Sequence, residues 1–232
     1  MVRLADVLYW LMGFGVVALC GLLVVTHLHD RAEKLALEAS HHEVDALRRV
    51  CEDDVALLGA DVTRYAPLDD LGELTDEAWR HARDLHADAK ELLRHAAGPR
   101  SFEQVTALLA QARQSLAEVQ ALVLDDEAPA PRPCCFFNPN HGPSDATVDW
   151  ETPTGTVALP CCHADAQRIG SGADPYARTW PVEDDRAPWW TVGEAAQPWA
   201  LGWFAQWRTS GHWAALSQAA PALDPSVELD AA

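Results

Sequence analysis

Cys134-Cys135-Phe136-Phe137-Asn138-Pro139-Asn140-His141-Gly142-Pro143 and, after a short spacer, Leu159-Pro160-Cys161-Cys162-His163-Ala164-Asp165 decide how this chain is read. Between them, residues 146–152 and 156–159 alternate Val148 with Trp150 and Val157 with Leu159, the pattern of two short strands. Pro153-Thr154-Gly155 supplies the turn. A hairpin returns the chain on itself, so donors at its entry meet donors at its exit.

Thiolates and imidazoles converging in fours suit a closed tetrahedral zinc site. Cys135, His141 and Cys162 are the first three expected ligands, with Asp165 or His163 as the fourth. The rival is oxidation: Cys134 and Cys135 paired with Cys162 and Cys161 would staple the same hairpin by a few kcal/mol. The spacing is not that of two CxxC knuckles, so ligand chemistry, not spacing, tips the reading towards metal. A nucleophilic Cys–His pair is the third reading. It ranks lowest, because no arrangement of nucleophile, base and oxyanion donors is evident in the sequence.

Upstream of this module the chain is helical in pattern. Val44, Leu47, Cys51, Val55 and Leu58 recur at spacings of three and four, an amphipathic stripe. After Pro67 to Gly72, Thr75 or Asp76 is the expected cap of a second helix with its seam at Ala78, Ala82, Leu85, Ala89, Leu92 and Ala96. Gly98-Pro99 breaks it. Ser101 with Gln104 reads as a capping box for a third helix, with a seam at Phe102, Val105, Leu109, Ala112, Leu116, Val119 and Val123. The expectation is an antiparallel hairpin joined by the first helix into a three-helix stalk, its first stripe packing there or pairing between chains as a homo-oligomer. His41, His42, His81, His86 and His95 lack the one-face spacing of a helical metal site and read as solvated positions.

Val7 to Thr26 is an uncharged apolar run, about the length needed to cross a bilayer core, with Tyr9 and Trp10 near one end. No small-x-small cleavage site follows it, so a retained single-pass anchor in the cell membrane is expected. Arg31 and Lys34 after the run against Arg3 before it lean slightly towards a cytoplasmic C-terminal bulk. A formal net charge of −18 argues against nucleic acid, whose binding needs clustered Lys and Arg. With hydrophobic residues at 49% and charged residues at 22%, the remainder has the composition of a folded protein.

Downstream, Trp180, Trp189, Trp190, Trp199, Trp203, Trp207 and Trp213 crowd a stretch rich in Pro and Gly. Pro198 suits the first turn of a helix, which would set Trp199, Trp203 and Trp207 on one face. Rings of this size bury the most area per residue, so core is the favoured reading. An exposed binding surface made by those three is the alternative.

The expected class is therefore α+β. It comprises a transmembrane anchor (1–29), a helical stalk (30–124), a Pro-rich linker (125–133), a Cys/His and Trp-rich module (134–215) and a flexible tail (216–232). The run Cys135 to Pro143, Trp150, Leu159 to Ala166, Pro188-Trp189-Trp190 and Trp199 to Phe204 resembles a pattern in uncharacterised actinobacterial membrane-anchored proteins. In that pattern Cys135, His141 and Cys162 match recurring positions, and the place of Asp165 holds Asp or Cys. The resemblance implies a metal site, leaves Cys134 and Cys161 outside it, and implies no activity. The functional expectation is a non-enzymatic, membrane-tethered adaptor for a protein partner. An extracytoplasmic, disulfide-stapled binding domain and a thiol enzyme follow it.

Overall fold

Three long helices open the fold, in the computed structural model that describes residues 42–66, 72–152, 155–182 and 185–205. The apolar run 7–26, His41, Trp207 and the tail 216–232 lie outside the described residues, and so do the expectations that fall on them. Among the described residues no helix is long and apolar enough to cross a membrane.

Helix α1 runs from 42 to 65, α2 spans Glu73–His95 and α3 spans Pro99–Val123. The α1 stripe is buried at Leu47, Cys51, Val55 and Leu58, and Val44 packs against it. Helix α2 buries Ala82, Leu85, Ala89 and Leu93, and α3 buries Phe102, Val105, Leu109, Ala112, Leu116 and Val119. Three seam positions differ from expectation: Ala78 is half-buried outside the core, Leu93 replaces Leu92 as the buried leucine, and Val123 is exposed at the end of α3.

Side-chain contacts fix the helix directions. Arg48 Nη1 donates to Leu93 O at 3.0 Å, His86 Nε2 lies 3.1 Å from Val55 O, and Trp79 Nε1 donates to Val62 O at 3.0 Å, so α1 and α2 are antiparallel. Arg48 also reaches Ala96 O, which satisfies carbonyls at the C-terminal end of α2. Arg48 lies 5.9 Å from the centre of the Phe102 ring and Arg113 Nη1 is 2.5 Å from Asp61, so α3 is parallel to α1. The result is an up-down-up bundle of three.

Both expected caps are displaced. Helix α2 starts at Glu73 behind Gly72, whose φ of 87° favours glycine, and not at Thr75 or Asp76. Helix α3 starts at Pro99 with Gly98 before it, and Ser101 lies inside the first turn. A proline has no N–H to leave unpaired there, so it extends the helix back past the Ser101–Gln104 box.

The hairpin forms as β1 (Ala146–Thr152) and β2 (Gly155–Cys161), with Val148 opposite Leu159 and Trp150 opposite Val157. Helix α4 (His163–Gly170) follows. A second hairpin, β3 (Thr179–Val182) with β4 (Asp185–Pro188), leads through two short 3-10 turns into α5 (Gln197–Trp203). Among the described residues, five helices and two two-stranded antiparallel sheets make the class α+β.

The Trp-rich segment supplies core. Trp180, Trp189 and Trp199 are at most 2% exposed. Trp189 stacks on Phe204 at 5.5 Å between centroids and meets Phe136 at 4.9 Å and Trp199 at 5.4 Å. Burial of one such side chain contributes roughly 2–3 kcal/mol. Trp199 and Trp203 are therefore core residues and not an exposed binding face.

Helix α5 lies close against α3. Thr106 Oγ1 donates to Trp199 O at 2.9 Å, and a Cβ on Gly202 would overlap Thr106 and the Glu103 carbonyl. The Pro-rich stretch packs back along α3, where Gln114 Nε2 donates to Pro129 O at 3.0 Å. From Val44 onward the described residues belong to one compact unit, so the bundle and the Cys/His module share a core.

Candidate metal centre

Two tight local structures bring the donors together. Cys134 bridges to Pro143, and Cys135 N donates to Gly142 O at 2.9 Å. Between them Pro139–His141 forms a 3-10 turn capped by Asn138, whose Oδ1 accepts from Asn140 N at 3.1 Å. Gly142, at φ 89°, reverses the chain where a side chain would be strained. The loop thereby returns His141 to the side of Cys135. Phe136 N donates to Pro160 O at 2.9 Å and docks this loop on β2.

The other two donors start a helix. Cys162 is the residue that precedes α4, and Asp165 is in its first turn. Residues at these two positions meet at a helix N-terminus, as in a capping box. Asp165 is fully buried, and its Oδ1 accepts from Tyr176 N at 2.8 Å. Its Oδ2 faces inward, 3.3 Å from Cys135 Sγ, 3.4 Å from Cys162 Sγ and 3.0 Å from His141 Nδ1. Cys162 Sγ is 3.4 Å from the same His141 nitrogen. All four ligand atoms lie within 4.8 Å of one another. Metal–ligand bonds of about 2.0–2.3 Å place tetrahedral donors roughly 3.3–3.8 Å apart, so the group is close to the required size.

Charge makes the same case. A hydrogen bond from Cys135 holds the Cys162 pKa down to about 5, aided by His141 and opposed by burial. The shared hydrogen bond and burial push Cys135 up. Burial alone would lower His141, but Cys162 and Asp165 outweigh it and the net shift is upward. Among the described residues no Lys or Arg forms a hydrogen bond or ion pair with any of the four. His141 is the one basic side chain at the cluster, and the set of two sulfurs, an imidazole and a carboxylate could hold a divalent metal. Two sulfurs, an imidazole and a carboxylate are zinc donors, whereas calcium and magnesium take oxygen sets.

The geometry also weighs against a Cys–His–Asp relay. In such a triad the two imidazole nitrogens face different partners. Here Nδ1 alone meets both Cys162 and Asp165, while Nε2 lies 3.2 Å from the Asn138 amide. The donors converge on one point.

The remaining expected residues separate cleanly. His163 is exposed, with Nε2 2.9 Å from Gln167 Nε2, and is not part of the cluster. Cys134 and Cys161 are buried thiols outside it, pushed by burial to about 12 and about 11. The described cysteines are all free, so the expected alternative of Cys134/Cys135–Cys161/Cys162 disulfides does not form. Neighbours in extended chain point to opposite sides, so each vicinal pair sends one sulfur to the site and one to the core.

A second buried group, missed in the sequence, holds the site to the bundle. Asp54 of α1 is fully buried and accepts from Trp199 Nε1 at 2.7 Å and Asn140 Nδ2 at 2.7 Å, with Arg178 Nε at 2.9 Å. Arg113 of α3 donates to Asn140 Oδ1 at 3.0 Å. Asn140, next to His141, is thus clamped by two helices of the bundle. The signal was present in outline: Asp54 falls three residues after Cys51 and four before Leu58, on the buried stripe.

Comparisons with protein-family models, with curated proteins and with solved structures find no match.

Proposed function

We propose that this chain is a non-enzymatic, membrane-tethered interaction protein whose folded unit is braced by a structural zinc ion. The observation that carries the reading is the convergence of Cys135 Sγ, His141 Nδ1, Cys162 Sγ and Asp165 Oδ2 within 4.8 Å of one another. Zinc, when bound, supplies a divalent charge that joins the loop before β1 to the start of α4. Four protein ligands fill a tetrahedral shell, whereas a catalytic zinc keeps one position for water or substrate. That supports a bracing role over a hydrolytic one. Asn138 and Tyr176 orient the imidazole and the carboxylate from behind, as supporting partners do in zinc sites.

The tether rests on the apolar run Val7 to Thr26, and the resemblance to membrane-anchored proteins supports it. The lean towards a cytoplasmic bulk rests on Arg31 and Lys34 after the run against Arg3 before it. The occupant of the folded surface is proposed to be a protein, because the acidic chain repels nucleic acid.

Elemental analysis of the purified chain, alongside fractionation of cells expressing it with and without Met1 to Thr26, tests both halves. Zinc should co-purify in a single equivalent and disappear in Cys162→Ala, and the deletion should move the protein from membranes to the soluble fraction. A chain that neither carries nor takes up zinc ends the metal reading. A deletion variant that stays in membranes after a high-salt wash ends the single-anchor reading.

A further inference from the structure

The fold divides the vicinal cysteines by access as well as by direction. Cys161 ends β2 with its side chain in the core, and Cys134 is buried beside Pro143. The two site sulfurs lie within 4.8 Å of each other and share Asp165 Oδ2. Cys135 is fully buried, whereas Cys162, at the start of α4, is the half-exposed member. An accessible sulfur therefore stands in front of a sheltered one, the arrangement of a peroxide-sensitive thiol with its resolving partner.

We propose that Cys162 is a site of oxidative modification, at which hydrogen peroxide joins Cys135 and Cys162 in a disulfide and releases the zinc. The proposal rests on the zinc reading given above. The Cys162 sulfur attacks peroxide, the O–O bond breaks, and the sulfur becomes a sulfenic acid while hydroxide leaves. The Cys135 sulfur then attacks the Cys162 sulfur, the S–S bond forms, and the S–O bond breaks with loss of a second hydroxide. Two protons from solvent convert both hydroxides to water. The sulfurs lose two electrons and the peroxide gains them. Zinc, left with only His141 and Asp165, passes to solvent. Cys161 cannot resolve Cys162 as readily, because its side chain turns into the core and a bridge between neighbours closes a strained ring.

The zinc-loaded full chain is titrated with hydrogen peroxide while a chromogenic chelator reads released metal, and alkylated peptides are mapped by mass. The expected result is zinc release in step with the loss of two free thiols, a cross-linked peptide pair holding Cys135 and Cys162, and reversal by dithiothreitol with added zinc. Cys161→Ser should respond as the parent does. Cys135→Ser should instead accumulate sulfinic acid at Cys162, and any loss of fold in it is checked by circular dichroism before oxidation. A cross-link through Cys134 or Cys161, or a Cys162 sulfinic acid without a disulfide in the parent chain, overturns the proposal. The same map on metal-free chain separates the two readings. Failure to bind zinc with the Cys135–Cys162 bridge still formed overturns the metal reading and the zinc release that rests on it but upholds the modification site, and zinc binding without that bridge overturns the modification site alone.

Discussion

Asp165 shows how one side chain sets the chemistry of the site. Its two oxygens have separate tasks, Oδ1 taking the Tyr176 N–H and Oδ2 facing the sulfurs and the imidazole. Asp165→Ala should lower zinc affinity at least about tenfold, since even supporting residues of metal sites are worth roughly 10–100-fold. Asp165→Cys completes a three-cysteine, one-histidine set and should bind zinc at least as tightly, with His163→Ala unchanged; competition against a chromogenic chelator reads all three. His86 offers a second test at this scale. Burial against α1 lowers its pKa below the ordinary 6.5. The unfolded chain then takes up a proton that the folded chain resists, so stability is full above the unfolded pKa and is lost as pH falls towards the folded one. Melting temperature should therefore drop on acidification from about 7, and His86→Gln should flatten that part of the profile.

At the scale of elements, the network around Asp54 ties α1, α3 and α5 to the loop that carries His141. Asp54→Ala takes the carboxylate from Arg178 Nε and from the buried Trp199 N–H, while Arg178 Nη2 keeps the Val50 carbonyl. It should cost about 3–5 kcal/mol in urea unfolding, the usual penalty for breaking a buried pair. It should also weaken zinc binding, because Asn140 loses one side of its clamp; an unchanged zinc affinity in a folded Asp54→Ala protein would show the two to be independent. Gly202→Ala meets the Thr106 hydroxyl and, beside it, the Glu103 carbonyl and Ala107 N of the α3 backbone, which cannot swing aside. A loss of about 1–3 kcal/mol or more is expected from such overpacking, measured by the same unfolding curves. The bundle helices were legible because their stripes follow the helical period. Their starts were not, since Gly72 and Pro99 act through backbone conformation and a missing N–H.

For the whole molecule, the shared core changes what metal loss should do. Read as stalk, linker and module, the chain would lose only its module on chelation. The structure packs α5 on α3, folds 125–133 along Gln114 and runs the Asp54 network through both parts. Chelation should therefore lower the melting temperature of helix and tryptophan signals together, in one transition followed by circular dichroism and by fluorescence. Two separated transitions, with helicity persisting after the tryptophan change, would show the bundle to be independent of the site.

Local order was within reach of the sequence alone: the stripe on α1, the seams of α2 and α3, the β1–β2 hairpin, and Cys135, His141 and Cys162 as three donors. Each depends on a period or on a turn between near neighbours, which neighbouring residues dictate. The choice of Asp165 over His163 needed the start of α4, because only residues on the inner side of that first turn reach Cys135. The burial of Trp199 and Trp203 needed α3 as a partner surface, since an aromatic stripe is the same sequence whether a neighbour covers it or water does. Asp54, Asn140, Arg178 and Trp199 met only in the tertiary structure. They are far apart in the chain, and a buried charge is stable solely where folding brings its partners to it.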